Sequence, residues 1–423
     1  MNLYYLLKKL FPLNRSITGK GFIRSLNILR AYNKQILIKK VKSKSKVFDW
    51  KVPLTWEINE AYVEYEKKKI IDFKKNNLHV VNYSHSIKKK MYFKELKKNL
   101  HFHRKLTEAI PYVTTYYKKN WGFCINKNFY DKISKYKKKF NVIIKSKFKN
   151  NYLNYGQIFI KGKSKKEILF STYLCHPSMA NNELSGPVVM TKLANFIKKK
   201  NNYYSYRFLY LPETIGSIAF LSKNYKSLKN NLLGGFVITC VGDNRKFSYI
   251  PTAYGDTFTD RIAIKTLRNM KINFLKFSYL ERGSDERQYN WPGIDLPISS
   301  ITRSKYGNYK EYHSSLDDLN FVNSKGLNSS YDFYVKLFRN IEKERLPITK
   351  TKCEPFMQKI NIYPSNVVFN KSLYKETRNI LNFLTYCNGK NEISFIAKKI
   401  NLSSKACLKI LKLVLKYNLA QLI

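Results

Sequence analysis

Between residues 131 and 346, continuous apolar runs alternate with amphipathic helical patterns. Apolar runs of this length predict strands that are buried on both faces, and their alternation with helices is typical of an α/β domain with a mostly parallel sheet. The predicted strands are Ile168–Leu174, Tyr206–Leu211, Gly234–Val241 and Leu296–Ile301, and the predicted helices cover Gly186–Ile197 and a segment that begins at Ser217.

The chain has 423 residues, which is more than a single ordinary domain needs. Hydrophobic residues make up 44% and aromatic residues 15%, so the composition excludes a disordered or fibrous protein. The net charge of +51 would suit a polyanion partner, but lysine is spread over the whole chain together with abundant Asn, Ile, Tyr and Phe. We interpret most of this charge as a solvated surface.

Two further segments differ from this pattern. Short aromatic and β-branched runs between residues 48 and 130, such as Ala61–Tyr65, Leu78–Tyr83 and Tyr112–Tyr117, predict a β-rich inserted domain. Residues 347–423 contain three short helical patterns and a final strand-like run, which predict a winged helix-turn-helix domain. The α/β core then comprises residues 1–47 and 131–346.

The third helical pattern, Ser404–Tyr417, presents lysines and lacks the Arg, Asn and Gln side chains that usually contact bases. We therefore expect docking or dimerisation, rather than sequence-specific DNA recognition, from this domain. Six scattered cysteines without a CxxC pair predict a reducing compartment. The sequence contains neither a signal-peptide pattern nor a membrane-length apolar run, and we expect a cytoplasmic protein.

Polar residues follow several of the predicted strands of the core. His176 lies just beyond the first strand, Glu213 beyond the second and Asp243 beyond the third, and His313 lies in a polar turn. Loops at the carboxyl ends of parallel strands converge on one edge of the sheet. Imidazole and carboxylate groups at that edge are suitable ligands for zinc, which activates water and polarises a carbonyl group.

The same segments carry a resemblance. They are similar, in the same order along nearly the whole chain, to the motifs of a bacterial aminopeptidase-like family that is often associated with surface-polysaccharide biosynthesis, and more distantly to the co-catalytic zinc aminopeptidases. The matching segments are Phe11–Gly19, Asp49–Trp56, Tyr116–Cys124, His176–Gly186, Pro212–Ser217, Gly283–Tyr289 and Tyr312–Asp318.

The resemblance implies a three-layer zinc-exopeptidase fold with an inserted domain and a C-terminal winged helix, and a metal held by His176 and His313. The position of the bridging aspartate is taken by Asn182, an uncharged and poor ligand, and one of the paired glutamates is replaced by Thr214. These departures favour one zinc ion over two. Asp243 or Glu213 would complete the site, with Glu183 as a substitute for the missing bridge, and we expect Glu213 to act as the general base.

Two other polar segments are candidates for binding substrate. Asp285, Arg287 and Tyr289 belong to one of the matching motifs, and Arg303 and Tyr306 could hold a carboxylate or phosphate. Asp317 or Asp318 is expected to orient His313 from behind. Either segment could instead form internal ion pairs.

Three functions remain open at this point. The first is a zinc-dependent hydrolase that acts on a small peptide, an amide or an amino-sugar substrate. The second is an inactive descendant that serves as a scaffold or binding protein, which Asn182 and Thr214 favour. The third is a winged-helix DNA-binding regulator. The oligomeric state also remains open, a homo-oligomer included.

Overall fold

The computed structural model describes residues 1–362 and 371–423. Its central element is an eight-stranded sheet in the order β1-β2-β4-β3-β5-β8-β6-β7. The strands are β1 Leu37–Lys42, β2 Tyr152–Ile160, β3 Glu167–Tyr173, β4 Ser205–Leu211, β5 Leu232–Val237, β6 Phe247–Ile250, β7 Phe274–Lys276 and β8 Ile298–Thr302.

Strands β3, β4, β5 and β8 form the parallel centre of this sheet. Strands β1 and β2 are added antiparallel at one side, and β6 is antiparallel to β8 at the other. The four central strands therefore end at the same edge, as the sequence predicts. The third predicted strand is shorter than expected, because β5 ends at Val237 and the chain turns at Cys240 with a φ of 51°.

Helices cover both faces of the sheet. The ring of Tyr155 in β2 packs against Phe220, whereas the next residue, Gly156, faces Leu26. Successive residues of a strand point to opposite faces, so the two helices that carry these partners lie on opposite sides, and the core has the predicted three layers. The core helices are Leu3–Leu10, Lys20–Tyr32, Ser185–Lys198, Ile215–Asn231, Phe258–Asn269, Glu286–Tyr289 and Ser324–Lys343.

The insert is built on a four-stranded antiparallel sheet, in the order Lys68–Asp72, Thr55–Tyr65, Phe140–Lys149, Ile87–Met91. Phe140–Lys149, which the sequence analysis assigns to the core, thus pairs with insert strands. The runs Leu78–Tyr83 and Tyr112–Tyr117 form turns and isolated bridges in place of strands. Smaller elements are Lys46–Val47, Trp50–Lys51, Asn77–His79, Phe93–Leu96, Lys97–Asn99, Leu100–His101, Phe123–Cys124 and Lys127–Ile133.

The C-terminal segment contains the helices Lys371–Thr385, Ile393–Lys399 and Ser404–Lys416. Strand Ala420–Leu422 pairs antiparallel with Pro347–Thr349, and Arg261 of the core donates hydrogen bonds to Glu392. These elements lie close to the predicted ones, while a winged-helix identity stays a prediction. Short elements elsewhere are Ala180–Leu184, Tyr279–Glu281 and Met357–Ile360. Among the described residues, we find no helix with the length and apolarity that crossing a bilayer requires.

Candidate active site

Two histidines meet beyond the carboxyl ends of the central strands. His176 follows β3 and His313 lies in the loop after β8, and their ring centroids are 5.0 Å apart. Burial lowers the pKa of His176 well below its usual value and the pKa of His313 to about 4. Both imidazoles are therefore neutral at physiological pH, which is the form that binds a metal ion.

Glu183 completes a group of potential metal ligands with His176 and Cys175. One ligand atom from each of the three residues lies within 4.8 Å of the others, and all three residues are buried. Oε1 of Glu183 and Nδ1 of His176 are hydrogen-bonded. Within the described part of the chain, Oε2 of Glu183 and Nε2 of His313 have no hydrogen-bond partner. Buried polar atoms rarely lack a hydrogen-bond partner, so the two histidines and Glu183 fit a bound cation.

A single π-helical turn, Ala180–Leu184, brings Glu183 to the histidines. Asp317 fixes this turn by accepting hydrogen bonds from the backbone N–H groups of Asn181 and Asn182, at 2.6 and 2.9 Å. Asp317 or Asp318 is predicted from the sequence to orient His313, and the contacts of Asp317 show that it holds the turn that carries Glu183. Burial raises the pKa of Asp317 to about 7.

Glu213 lies beside His176 on the neighbouring strand end. Its Oε2 is 3.6 Å from Nε2 of His176, and its side chain is 17% exposed. The Glu213 N–H donates to Sγ of Cys175 at 3.3 Å, which ties the loop after β4 to the end of β3. Burial and the neighbouring Asp285 raise the pKa of Glu213. A carboxylate with a raised pKa that also reaches solvent has the properties of a general base.

Asp285 and Arg287 support the turn that presents Glu213. Thr214 adopts the left-handed region, with a φ of 64°, a conformation that is strained for a β-branched residue. Oδ1 of Asp285 accepts hydrogen bonds from the Thr214 N–H at 2.7 Å and from the Ser217 hydroxyl at 3.0 Å. Arg287 donates to Oγ1 of Thr214 at 2.7 Å. The strained turn is therefore held at both the backbone and the side chain of Thr214.

The side chain of Asn182 has neutral hydrogen-bond partners, although its backbone N–H contacts the Asp317 carboxylate. Oδ1 of Asn182 accepts from the Tyr173 hydroxyl at 3.4 Å and from the Cys240 thiol at 3.6 Å, and its backbone carbonyl accepts from Thr239 at 2.6 Å. The amide oxygen of Asn182 is a neutral ligand, and a neutral ligand binds a divalent metal more weakly than a carboxylate does.

Asp243 hydrogen-bonds to residues of the neighbouring loops. Its carboxylate accepts from the Asn181 side chain at 2.9 Å and from the backbone N–H groups of Arg245 and Ser304 at 2.8 and 3.2 Å. These contacts occupy both carboxylate oxygens. Asp243, which the sequence analysis names as a ligand, thus lies in a loop-stabilising network, since the chain turns beyond β5 before reaching it.

Three of the five residues expected to bind substrate have internal roles. Tyr289 is fully buried and its hydroxyl hydrogen-bonds to Ser171. The Tyr306 hydroxyl, also buried, donates to Glu286. Arg303 donates to the Arg245 carbonyl and to serines of helix Ser324–Lys343. Tyr289 and Tyr306 are therefore packed in the interior and Arg303 is half-buried, and none of the three is among the residues that line the two cavities bordered by Arg287.

The insert supplies residues to the site that the sequence analysis does not identify. Tyr112 lies against both imidazoles, with centroid distances of 4.6 Å to His176 and 5.4 Å to His313. Its hydroxyl hydrogen-bonds to that of Tyr116 at 2.5 Å. A cavity of about 280 Å³ lies in front of Glu213 and is lined by Ile17, Trp50, Tyr116, Tyr117, Cys175, His176, Glu213, Thr214, Ile215 and Arg287. Tyr112 is marked in the sequence by the aromatic run at residues 112–117, whereas Tyr116 and Tyr117 also belong to the matching segment Tyr116–Cys124.

Arg15, in the motif near the N-terminus, supports the backbone of the loop that carries His176. The side chain is completely buried, and it donates from Nε to the His176 carbonyl at 3.1 Å and from Nη1 to the Leu10 carbonyl at 2.5 Å. The loop that carries His176 is thereby tied to the first helix of the chain.

Comparison with known proteins identifies relatives of the whole core. Residues 4–344 match a family model described as a domain of unknown function, DUF4910. A protein of Clostridium acetobutylicum, named as a polysaccharide biosynthesis protein with an aminopeptidase-like domain, is 44% identical over 363 residues, which are 85% of this chain and 82% of the relative.

Solved structures show the same fold. A crystal structure of a C. acetobutylicum protein, described as a candidate peptidase, superposes with a TM-score of 0.81 at 39% identity and covers all of this chain and 96% of its own. A zinc aminopeptidase of Bacillus subtilis gives a TM-score of 0.59 at 12% identity, over 80% of this chain and 94% of that one. At this low identity the second likeness shows the aminopeptidase fold alone.

Proposed function

This chain belongs to the DUF4910 family, and from the geometry of its site we propose that it is a metal-dependent hydrolase that cleaves a peptide or amide bond. The observation that carries the proposal is the pairing of two neutral histidines with the buried Glu183 and the half-buried Glu213 at the edge of an aminopeptidase fold. The name of the C. acetobutylicum relative adds support, and it favours a substrate that belongs to the assembly of a polysaccharide.

His176, His313 and Glu183 are the residues that would hold a zinc ion. They combine two imidazoles with a carboxylate, and Oε2 of Glu183 and Nε2 of His313 are buried without a hydrogen-bond partner among the described residues. When bound, zinc supplies a Lewis acid that polarises a carbonyl group and lowers the pKa of water. We propose one ion per chain, because Asn182 offers a neutral amide where a second ion would need a carboxylate.

Glu213 would act as the general base. It is mostly buried, borders the cavity and lies next to His176, so it can accept a proton from water and return it to the leaving amine. Tyr116 lines the same cavity and offers a hydroxyl toward the substrate carbonyl. Asp285 and Arg287 would act as positioning residues through the strained turn at Thr214.

Replacing Glu213 by Gln tests this assignment. The amide retains the size of the side chain but cannot accept a proton, so the hydrolysis of aminoacyl amides and N-acyl amino sugars should fall by at least about a hundredfold. The zinc content should be unchanged, because Glu213 is outside the proposed ligand set. Glu354→Gln, at an exposed position in the C-terminal segment, is the matched control.

Unchanged turnover in Glu213→Gln would contradict the base assignment. A second candidate, an inactive protein that retains the fold as a scaffold, is favoured by the neutral Asn182 side chain and its neutral hydrogen-bond partners. If neither the zinc-loaded wild type nor the variant hydrolyses any substrate, the result would favour the scaffold. The six cysteines are all free, as is typical of proteins in a reducing compartment. We therefore propose the cytoplasm as the location of this protein for both candidate functions.

A further inference from the structure

We propose that the cavity beside the catalytic pocket is a saccharide-binding subsite, so that the bond to be cleaved is an amide attached to a sugar ring. This inference rests on the proposed function. The cavity has a volume of about 550 Å³, which is enough for one or two sugar rings. Its lining includes Phe48, Trp50 and Trp291 among the aromatic residues and Asp49, Arg282, Arg287 and Gln288 among the polar ones.

The cavity adjoins the catalytic pocket through shared walls. Trp50, Thr214 and Arg287 line both spaces. Thr214 is adjacent to Glu213 in the chain, so a ligand in the larger cavity lies next to the proposed base. The larger cavity is thus placed to hold the part of a substrate that extends from the scissile bond.

Large aromatic rings are exposed at this cavity. Trp291 is 60% exposed, Phe48 46% and Trp50 37%. The chain has four tryptophans, and the two that are exposed by more than a third both line the cavity. Exposed aromatic rings that are grouped in a concave surface indicate a binding site, since folding alone would favour their burial.

The backbone at Phe48 supports the same conclusion. Phe48 and Asp49 form the two-residue loop of a hairpin in which Val47 pairs with Trp50. Phe48 has a φ of 56°, and the first position of such a loop ordinarily takes glycine or a small polar residue. A phenylalanine in this conformation is strained. Strain of this kind is typical of functional positions, and here it directs an aromatic ring to the cavity.

Trp50 is fixed by its neighbours. Its ring packs edge-on against Tyr117, with centroids 5.8 Å apart, and the Tyr117 hydroxyl donates to the Lys51 carbonyl at 3.1 Å. A ring that is held in place loses little conformational entropy when a ligand stacks on it.

The combination of groups selects a sugar over an alkyl chain. A pyranose ring has an apolar C–H face that stacks on an aromatic ring and an edge of hydroxyls that needs planar hydrogen-bonding groups. Arg287, Gln288 and Asp49 provide such groups beside the rings. An alkyl chain would leave these polar side chains facing an apolar ligand, which costs their solvation.

Saturation-transfer NMR on the full, metal-free chain tests the subsite. The probes are glucose, glucuronate, N-acetylglucosamine and its β-1,4-linked dimer, with hexanamide and dialanine as the alkyl and peptide alternatives. We expect millimolar binding of at least one saccharide, weakened about tenfold or more in Trp291→Ala through loss of the stacking ring. Phe356→Ala, at an exposed aromatic residue in the C-terminal segment, should bind as the wild type does.

Several results would overturn the proposal: no saccharide binding, equal binding by Trp291→Ala, or a response to hexanamide or dialanine alone. Glu213→Gln separates this inference from the proposed hydrolysis, because it should bind saccharide normally. Saccharide binding that depends on Trp291, in a protein that hydrolyses no amide, would support the subsite and contradict the hydrolase. Glu213-dependent hydrolysis of amides without saccharide binding would support the hydrolase and contradict the subsite.

Discussion

The ring of Tyr112, which belongs to the insert, lies edge-on against the imidazole of His176 in the core, with centroids 4.6 Å apart and planes inclined by 70°. The Tyr112 backbone N–H also donates to the His313 carbonyl at 2.8 Å. One residue of the insert therefore contacts both candidate metal ligands, and the insert forms part of the site.

Removal of the Tyr112 ring should loosen both histidines. We expect Tyr112→Ala to weaken zinc binding about tenfold or more, as is typical when the supports of metal ligands are lost. Tyr112→Phe keeps the ring and should bind zinc within about twofold of the wild type, although it loses the hydrogen bond to Tyr116. Competitive titration with a chelating dye measures both. Equal losses in the two variants would show that the hydroxyl, and not the ring, is responsible.

Neutralisation of Asp285 should lower the pKa of Glu213. Burial is the main cause of the raised pKa of Glu213, and the Asp285 carboxylate adds to it by repelling a second negative charge. Asp285→Asn removes this repulsion and retains an acceptor oxygen for Thr214 and Ser217, which both contact Oδ1. Since a base must be deprotonated to act, the acidic limb of the pH–rate profile should move to lower pH.

The profile of kcat/KM against pH checks this shift. Asp256→Asn, at a largely exposed carboxylate, is the control and should leave the profile unchanged. A shift of the acidic limb of Asp285→Asn to higher pH would contradict the assignment of Glu213 as the group that titrates.

Asp317 should make the stability of the protein depend on pH. Its pKa is about 7 in the folded protein and near 3.8 in an unfolded chain, so the folded state binds the proton more tightly. The contribution of Asp317 to stability is then complete below about pH 4 and is lost as the pH rises through about 7. The free energy of unfolding of the wild type, relative to Asp317→Asn, should fall by about 1.4 kcal/mol per pH unit in this window.

Urea denaturation of the two proteins at a series of pH values measures this difference. Asp318→Asn, at the adjacent and more exposed carboxylate, is the matched control and should follow the wild type. A difference that is constant from about pH 4 to pH 7 would show that Asp317 remains ionised in the folded protein.

The sequence predicts much of the fold because hydrophobic periodicity is a local property. The runs around Ile168 and Tyr206 become the central strands β3 and β4, and the polar residues that follow them, His176 and Glu213, meet at one edge of the sheet as predicted. Parallel strands align their carboxyl ends, so this part of the geometry follows from element order alone.

Other parts of the site depend on contacts that no local pattern encodes. Asp243 follows a strand as His176 does, but the turn at Cys240 directs its side chain to Asn181. Tyr112 is distant in sequence from His176, and its position depends on how the insert packs. Tyr289 occupies a motif position, yet its place at the end of a short helix buries the side chain, and its hydroxyl hydrogen-bonds to Ser171. Spacing alone does not fix such side-chain directions.

Metal content tests the central claim most directly. The full chain should be purified without chelator, supplied with zinc, dialysed and measured by inductively coupled plasma mass spectrometry. We expect about one zinc ion per chain in the wild type and its loss in His176→Ala and His313→Ala. His85→Ala should retain the ion, because the imidazole of His85 stacks on Phe148 of the insert. A wild type that retains no zinc, or that retains it equally in His176→Ala and His313→Ala, would contradict the metal-dependent hydrolase proposed here.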